Sequence, residues 1–293
     1  MARKRLLITG ASGLLGYALC QRAIETYDVY GVCNKRDIPV EGVTPIRVDL
    51  TDTVQLADCF KHVQPQSVIH AAAFSQPNDC EQQPDKSEKI NVQATVAISR
   101  YCAEAQIPLV FTSSDLVFNG QAAPYIEDDP VSPICVYGRH KAAAEKALRE
   151  ICPEVVICRM PLLLGHAPGT SSGFLGHMVR TLRAGQPLTL FTEEFRTPVD
   201  TGNAAKGLLM ALEKQGALLH LGGRRRMSRY TLGCLAADIL KADHALLKPM
   251  RSADLPMAAP RSPDVSLESR RAHALGYVPG DLVAVLEKTV TRM

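Results

Sequence analysis

Lys4-Arg5-Leu6-Leu7-Ile8-Thr9-Gly10-Ala11-Ser12-Gly13-Leu14-Leu15-Gly16 decides how the chain is read. Leu6, Leu7 and Ile8 are a short apolar run of the kind a buried strand needs. Leu14, Leu15 and Leu19 continue as one face of a helix. Between them Gly10, Gly13 and Gly16 form a G-x-x-G-x-x-G turn. Glycine permits the dihedrals of a tight turn and lets a pyrophosphate or a strand approach the backbone. Backbone N–H groups and a helix N-terminus then face an anion. A glycine triplet carries this meaning only between a strand and a helix, which is its setting here.

The remaining composition fits a globular α/β protein. The chain has 293 residues, enough for one large domain or a domain with a smaller lobe. It is 46% hydrophobic and 22% charged, sufficient to bury a core. A net charge of +3 is too small to imply nucleic acid or a membrane surface as partner. The nine cysteines are scattered without a C-x-x-C pair, against a zinc ribbon or a redox dithiol. They read as small core residues of a reducing compartment. Arg3, Lys4 and Arg5 precede the first apolar run, but Thr9 and Gly10 end it too soon for a signal peptide. No stretch approaches the roughly 20 apolar residues of a membrane span. The expected location is the cytoplasm. No His/Asp/Glu spacing resembles a metal site.

Strands are expected at 27–33, 45–50, 66–74, 107–111 and 154–159, and helices at 53–62, 81–104 and 137–150. This alternation predicts a Rossmann-type, doubly wound parallel sheet over residues 1–161, covered on both faces. Ligands of such sheets lie outside the carboxyl ends of the strands. The glycine turn, Ala71 to Ala73 and Ser113 to Asp115 should therefore converge on one crevice. From Leu162 the alternation becomes irregular: a Gly-, His- and Ser-rich loop over 165–173, a helix over 174–183, then short elements and a proline-rich segment. Residues 162–293 read mainly as a smaller substrate-binding lobe, with some segments returning to the sheet.

Tyr137 and Lys141 stand four residues apart on a predicted helix and share a face. A tyrosine of pKa about 10 is a poor acid–base group at neutral pH. A neighbouring ammonium favours the phenolate and moves that pKa towards neutrality. Ser114, at a strand end, is placed to hold a substrate carbonyl.

Gly10-x-x-Gly13-x-x-Gly16, Asp49-Leu50, Ala71-Ala72-Ala73, Asn91-Val92, Ser113-Ser114-Asp115 and Tyr137-x-x-x-Lys141 together resemble the extended short-chain dehydrogenase/reductase family. Within it the likeness is to the dTDP-4-dehydrorhamnose reductase group. Ser113-Ser114-Asp115-Leu116-Val117-Phe118-Asn119-Gly120 is similar to that group's Ser-Thr-Asp-Tyr-Val-Phe-Asp-Gly, and Arg261 to Leu267 to its C-terminal pattern. The likeness covers nearly the whole chain and loosens after Leu162. It breaks at Leu116, where relatives have an aromatic, and at Pro198-Val199, where they have Pro-Thr.

The resemblance implies roles for particular residues. Tyr137 would be the general acid. Lys141 would lower its pKa and hold the nicotinamide ribose, and Ser114 would hydrogen-bond the carbonyl. Gly10, Ser12, Gly13, Leu14, Leu15 and Gly16 would line the pyrophosphate. Asp49 and Leu50 would take the adenine, and Ala71, Ala72, Ala73, Asn91, Thr112 and Met160 the rest of the cofactor. NAD sites place an acid about 20 residues beyond the glycines for the ribose 2′-OH. Here Asn34, Lys35 and Arg36 follow the second strand, and Asp37 is the first acid. Two cations suit a 2′-phosphate, so NADP(H) is expected, with NAD(H) as the alternative.

The implied activity is NADPH-dependent reduction of a keto group on a nucleotide-activated sugar, by a homodimer formed through the 81–104 and 137–150 helices. Two other readings come with the resemblance. One is a non-catalytic NADP-binding regulatory subunit like the methionine adenosyltransferase β subunit. The other is a sugar-nucleotide epimerase or dehydratase, although dehydratases place Asp-Glu where this chain has Asp115-Leu116. His166 and His177, beside the 165–173 loop, are candidate substrate contacts.

Overall fold

A computed structural model describes residues 3–169, 173–291 and 293. The opening stretch forms β1 (Lys4–Thr9) and α1 (Leu14–Ala23). Along β1, Leu6 and Ile8 enter one core and Leu7 the other, because successive side chains point to opposite faces. Both faces are covered, so Leu6, Leu7 and Ile8 follow one another as consecutive apolar residues.

The chain continues through β2 (Tyr27–Cys33), β3 (Val43–Arg47), α2 (Thr53–Val63), β4 (Ser67–His70), α3 (Pro77–Gln82), α4 (Pro84–Glu88) and α5 (Ala94–Glu104). It then forms β5 (Leu109–Ser114), α6 (Val136–Ile151), β6 (Val156–Met160) and β7 (Leu163–Leu164). The later part holds α7 (Gly173–Arg183), β8 (Leu188–Phe191), β9 (Phe195–Arg196), β10 (Val199–Asp200), α8 (Thr201–Ala211) and β11 (Leu218–His220). It closes with β12 (Met227–Ser228), α9 (Arg229–Leu240), β13 (Leu247–Met250), α10 (Arg270–Ala274) and α11 (Leu282–Val290).

Seven strands make one parallel sheet in the order β11-β6-β5-β4-β1-β2-β3. From β1 the chain winds outward to β2 and β3, then returns to β4 on the other side. That reversal is where the loops after β1 and β4 part and a ligand crevice opens. β11 comes from beyond residue 162 and forms the sheet's far edge, as α8 packs against α1. A third core, built on Leu175, Met178, Leu190, Leu232, Leu247 and Leu286, holds the remaining lobe together.

Several boundaries differ from the sequence reading; the strand expected over 66–74 ends at His70, for example. The expected 81–104 helix is α3, α4, a π-turn (Lys89–Gln93) and α5. Pro84 has no N–H to extend α3 and instead opens α4. The strand expected over 107–111 runs to Ser114, which puts both serines on the strand. β13 contains Pro249, and pairs with β8 alone, as a proline-bearing strand does at an edge. The described cysteines are all free, and no described helix is long and apolar enough to cross a membrane.

Candidate active site

The glycine turn is shaped by contact as much as by dihedral. Gly10 has φ +69°, and a Cβ on it would lie 2.8 Å from the Ala72 backbone. A Cβ on Gly16 would lie 2.1 Å from the Gly10 carbonyl oxygen. Gly13 caps α1 with no side chain to accept from the first turn, which leaves those donors facing the crevice. Below the turn, the Ala72 N–H donates to Thr9 Oγ1 (3.2 Å), which is 2.6 Å from His70 Nδ1. His70 Nε2 lies 2.9 Å from Thr95 Oγ1. Burial, then the Lys141 charge, pushes the His70 pKa down to about 3, so a neutral ring props the turn from beneath.

Above the sheet lies a crevice of about 1110 Å³. Gly10, Ser12 to Gly16, Asn34, Arg36, Asp49, Leu50, Ala71 to Ala73, Thr112, Ser114, Tyr137, Lys141 and Met160 all border it. Two expected cofactor residues do not. Lys35 is exposed and does not line the crevice, leaving Arg36 as the cation of that loop on it. Asn91 is buried beneath it: its amide donates to Phe74 O (3.0 Å) and Ser87 Oγ (3.1 Å) and accepts from Phe74 N (2.9 Å). It shapes the loop after β4 and has no group left for a ligand. Asp37, the first acid after β2, is paired with Arg47. Asp49 accepts from Thr51 N and Oγ1 at 3.0 and 2.7 Å, which holds its carboxyl below the usual range. An uncapped helix start, a glycine-rich turn and Arg36 on the crevice wall fit a phosphorylated dinucleotide.

Ser114, Tyr137 and Lys141 meet at the crevice floor. α6 begins at Cys135, whose Sγ accepts from Gly138 N at 3.4 Å. A Cβ on Gly138 would sit 2.0 Å from Leu116 O, so the first turn of α6 presses on the segment after β5. That contact delivers Tyr137 to Ser114. The Lys141 ammonium donates to Thr112 O at 2.7 Å and lies 4.4 Å from the Phe111 ring centroid.

The electrostatics reverse one expectation. Burial raises the Tyr137 pKa, the Asp115 charge adds to this, and the Ser114 hydrogen bond offsets it in part. Lys141 is itself pushed down to about 7 by burial, against the favourable charge of Glu145. Desolvation dominates, and the phenol stays protonated at neutral pH, the form a proton donor needs. The Ser114 hydroxyl donates to Asp115 Oδ1 at 3.0 Å and accepts from Leu116 N at 3.1 Å. Holding a carbonyl would require it to turn that proton away from Asp115.

The opposite wall was not legible in the sequence. Glu194, Arg196, Arg229 and Arg261 converge there from β9, the start of α9 and the proline-rich segment. Arg196 Nε lies 3.4 Å from Asp115 Oδ2, while Arg229 and Arg261 approach Glu194 at 3.5 and 3.8 Å. Three guanidiniums face two carboxylates, leaving one positive charge. Burial, then Arg196, lowers the Arg229 pKa to about 10, still well above neutrality. Leu116 borders the crevice, whereas Val199 lies in the core behind it. Of the two departures from the reductase pattern, only Leu116 faces a ligand. His177 lines the crevice and His166 does not; Thr170, Ser171 and Ser172 lie outside the described residues. His140 is half-buried, with Nδ1 2.9 Å from Ser87 Oγ.

Comparison with known proteins agrees with this geometry. The family described as RmlD substrate binding domain matches residues 4–292. A probable low-salt glycan biosynthesis reductase of Haloferax volcanii is 30% identical, over 87% of this chain and 87% of its own. The methionine adenosyltransferase 2 subunit beta of Rattus norvegicus is 27% identical, over 93% of this chain and 83% of its own. A crystal structure of dTDP-4-dehydrorhamnose reductase from Bacillus anthracis in complex with NADP superposes with a TM-score of 0.87. It covers 99% of this chain and 100% of its own at 20% identity, a likeness of fold. With the glycine turn, the Ser–Tyr–Lys group and nearly full-length coverage in hand, the chain belongs to the family described as RmlD substrate binding domain.

Proposed function

We propose that the protein is an NADPH-dependent reductase acting on the keto group of a nucleotide-activated sugar, in the cytoplasm and as a homodimer. One observation carries this reading: a proton-donating Tyr137, with Ser114 and Lys141, lies between an anion-binding glycine turn and a wall formed by the buried Arg196 and the half-buried Arg229 and Arg261. Bound NADPH supplies the hydride. Tyr137 Oη gives its proton to the carbonyl oxygen, so the C=O becomes CH–OH, and Lys141 stands behind it. Arg229 and Arg261 suit the diphosphate that links nucleotide to sugar. The Leu116 side chain in place of an acid speaks against a dehydratase. A homodimer places a partner on the side-by-side helices α5 and α6, and a doubled mass in solution tests it.

The decisive experiment follows NADPH consumption on a panel of dTDP-, UDP- and GDP-linked 4-keto sugars. Turnover on one of them is expected. Tight NADPH binding without turnover on any would favour the second reading, a regulatory subunit, which rests on the β-subunit relatives and on Leu116 in the crevice. NADPH should be preferred to NADH, and Arg36→Ala should raise the NADPH KM about tenfold while leaving that for NADH unchanged. Equal losses for both cofactors would sink the assignment of Arg36. Arg261→Gln should raise the KM for the sugar nucleotide roughly 10- to 100-fold with NADPH affinity intact, as binding titrations with each ligand would show.

A further inference from the structure

Beneath the crevice lies a second buried charge cluster that the proposed chemistry does not use. Glu145 is one helical turn beyond Lys141 on α6 and is buried. Its Oε1 accepts from Arg159 Nε at 3.0 Å and from Ser113 Oγ at 2.5 Å, and its Oε2 accepts from Arg159 Nη2 at 2.8 Å. Arg159, on β6, is also buried; its guanidinium lies 5.0 Å from the Phe118 ring centroid and 3.3 Å from His220 Nε2 on β11. The pair therefore joins α6, β5, β6 and β11 under Ser114, Tyr137 and Lys141. Burying two charges costs more than two apolar side chains would, so a forked pair of this kind is poorly explained by stability alone.

We propose that Arg159 and Glu145 are positioning residues: Arg159 holds the Glu145 carboxylate on Ser113, which fixes Ser114 through its neighbour and keeps that carboxylate from pairing directly with the Lys141 ammonium. Both Glu145 oxygens are occupied, so Lys141 feels its charge only at a distance and stays on Thr112 O. The other groups facing Lys141 are Tyr137 on its own helix, Cys80 from α3, His70 from β4, and the Phe111 ring and Thr112 carbonyl from β5. His70 is neutral and Cys80 is a thiol whose pKa burial raises, which leaves Glu145 as the anion that tunes Lys141.

The inference rests on Lys141 as the residue that holds the nicotinamide ribose, so its test reads NADPH binding and not turnover. NADPH affinity is measured by nicotinamide fluorescence from roughly pH 6 to 9, where a lysine shifted towards neutrality titrates. In Arg159→Met the released carboxylate turns to Lys141 and holds it charged, so the midpoint should rise by about one pH unit or more. In Glu145→Gln the favourable charge is lost, and the midpoint should fall. Titration of the NADPH phosphate itself is common to all three proteins. A merely structural pair would weaken binding at every pH without moving the midpoint. Midpoints unmoved, or moved the same way in both variants, overturn the proposal. Should Arg159→Met fail to fold, the near-isosteric Glu145→Gln decides alone by the direction of its shift. A wild-type protein that binds no NADPH at any pH would overturn the cofactor reading itself.

Discussion

Tyr137→Phe should lower kcat by about two to four orders of magnitude and leave NADPH affinity unchanged. The ring is buried among Cys80, Cys135 and Ala259, and phenylalanine retains that packing. What disappears is one hydroxyl: the proton donor and its hydrogen bond to Ser114. Because burial and the Asp115 charge hold the phenol protonated, the wild-type donor is fully loaded throughout neutral pH. The neighbouring groups are otherwise engaged, the Lys141 ammonium on Thr112 O. His70 is neutral beneath the turn, and Asp115 is engaged by Arg196 and Ser114. Steady-state rates with the substrate found in the panel, beside a fluorescence titration with NADPH, separate the two effects. An active phenylalanine variant would remove Tyr137 from the chemistry.

Gly16→Ala should cost roughly 10- to 100-fold in NADPH affinity, the scale of losing a hydrogen bond to a charged group. The added Cβ would stand 2.1 Å from Gly10 O and 2.7 Å from Ala11 Cα, both backbone atoms that cannot swing aside. Relief requires α1 to lift from the turn, and lifting α1 carries its uncapped N-terminal donors away from the crevice. The same movement loosens Leu15, Leu19 and Cys20 from their core, so Tm should fall as well. Gly280 is the control. A Cβ there meets only ordinary contacts at 3.4 Å and beyond, and Gly280→Ala should bind NADPH as wild type does. Equal affinity in both variants would show that the turn tolerates what its geometry forbids.

How far the site could be read in advance depended on the range of the interactions. The glycine turn, the Tyr137–Lys141 spacing and the strand-end serines are local patterns and were recovered in place. Asn91 looked like a cofactor contact because its position in the chain said nothing of Phe74 and Ser87, the partners that consume its amide. Lys35 and Arg36 were indistinguishable as neighbours in a loop; only the path of the chain after β2 puts Arg36 on the crevice. The arginine wall had no spacing to reveal it, since Arg196, Arg229 and Arg261 come from three separate segments and share only a destination.

By itself the sequence determined the strand–turn–helix opening, the alternation that makes a parallel sheet, and the residue types for hydride-transfer chemistry. These follow from side-chain periodicity and from the steric freedom of glycine, which act over a few residues. The tertiary structure decided which groups are charged and which are reachable. Lys141 is drawn down to about 7, and the Tyr137 phenol is held protonated, because both are desolvated by elements far away in the chain. Ionisation is set by burial and by charges converging through space, and neither is written in local spacing.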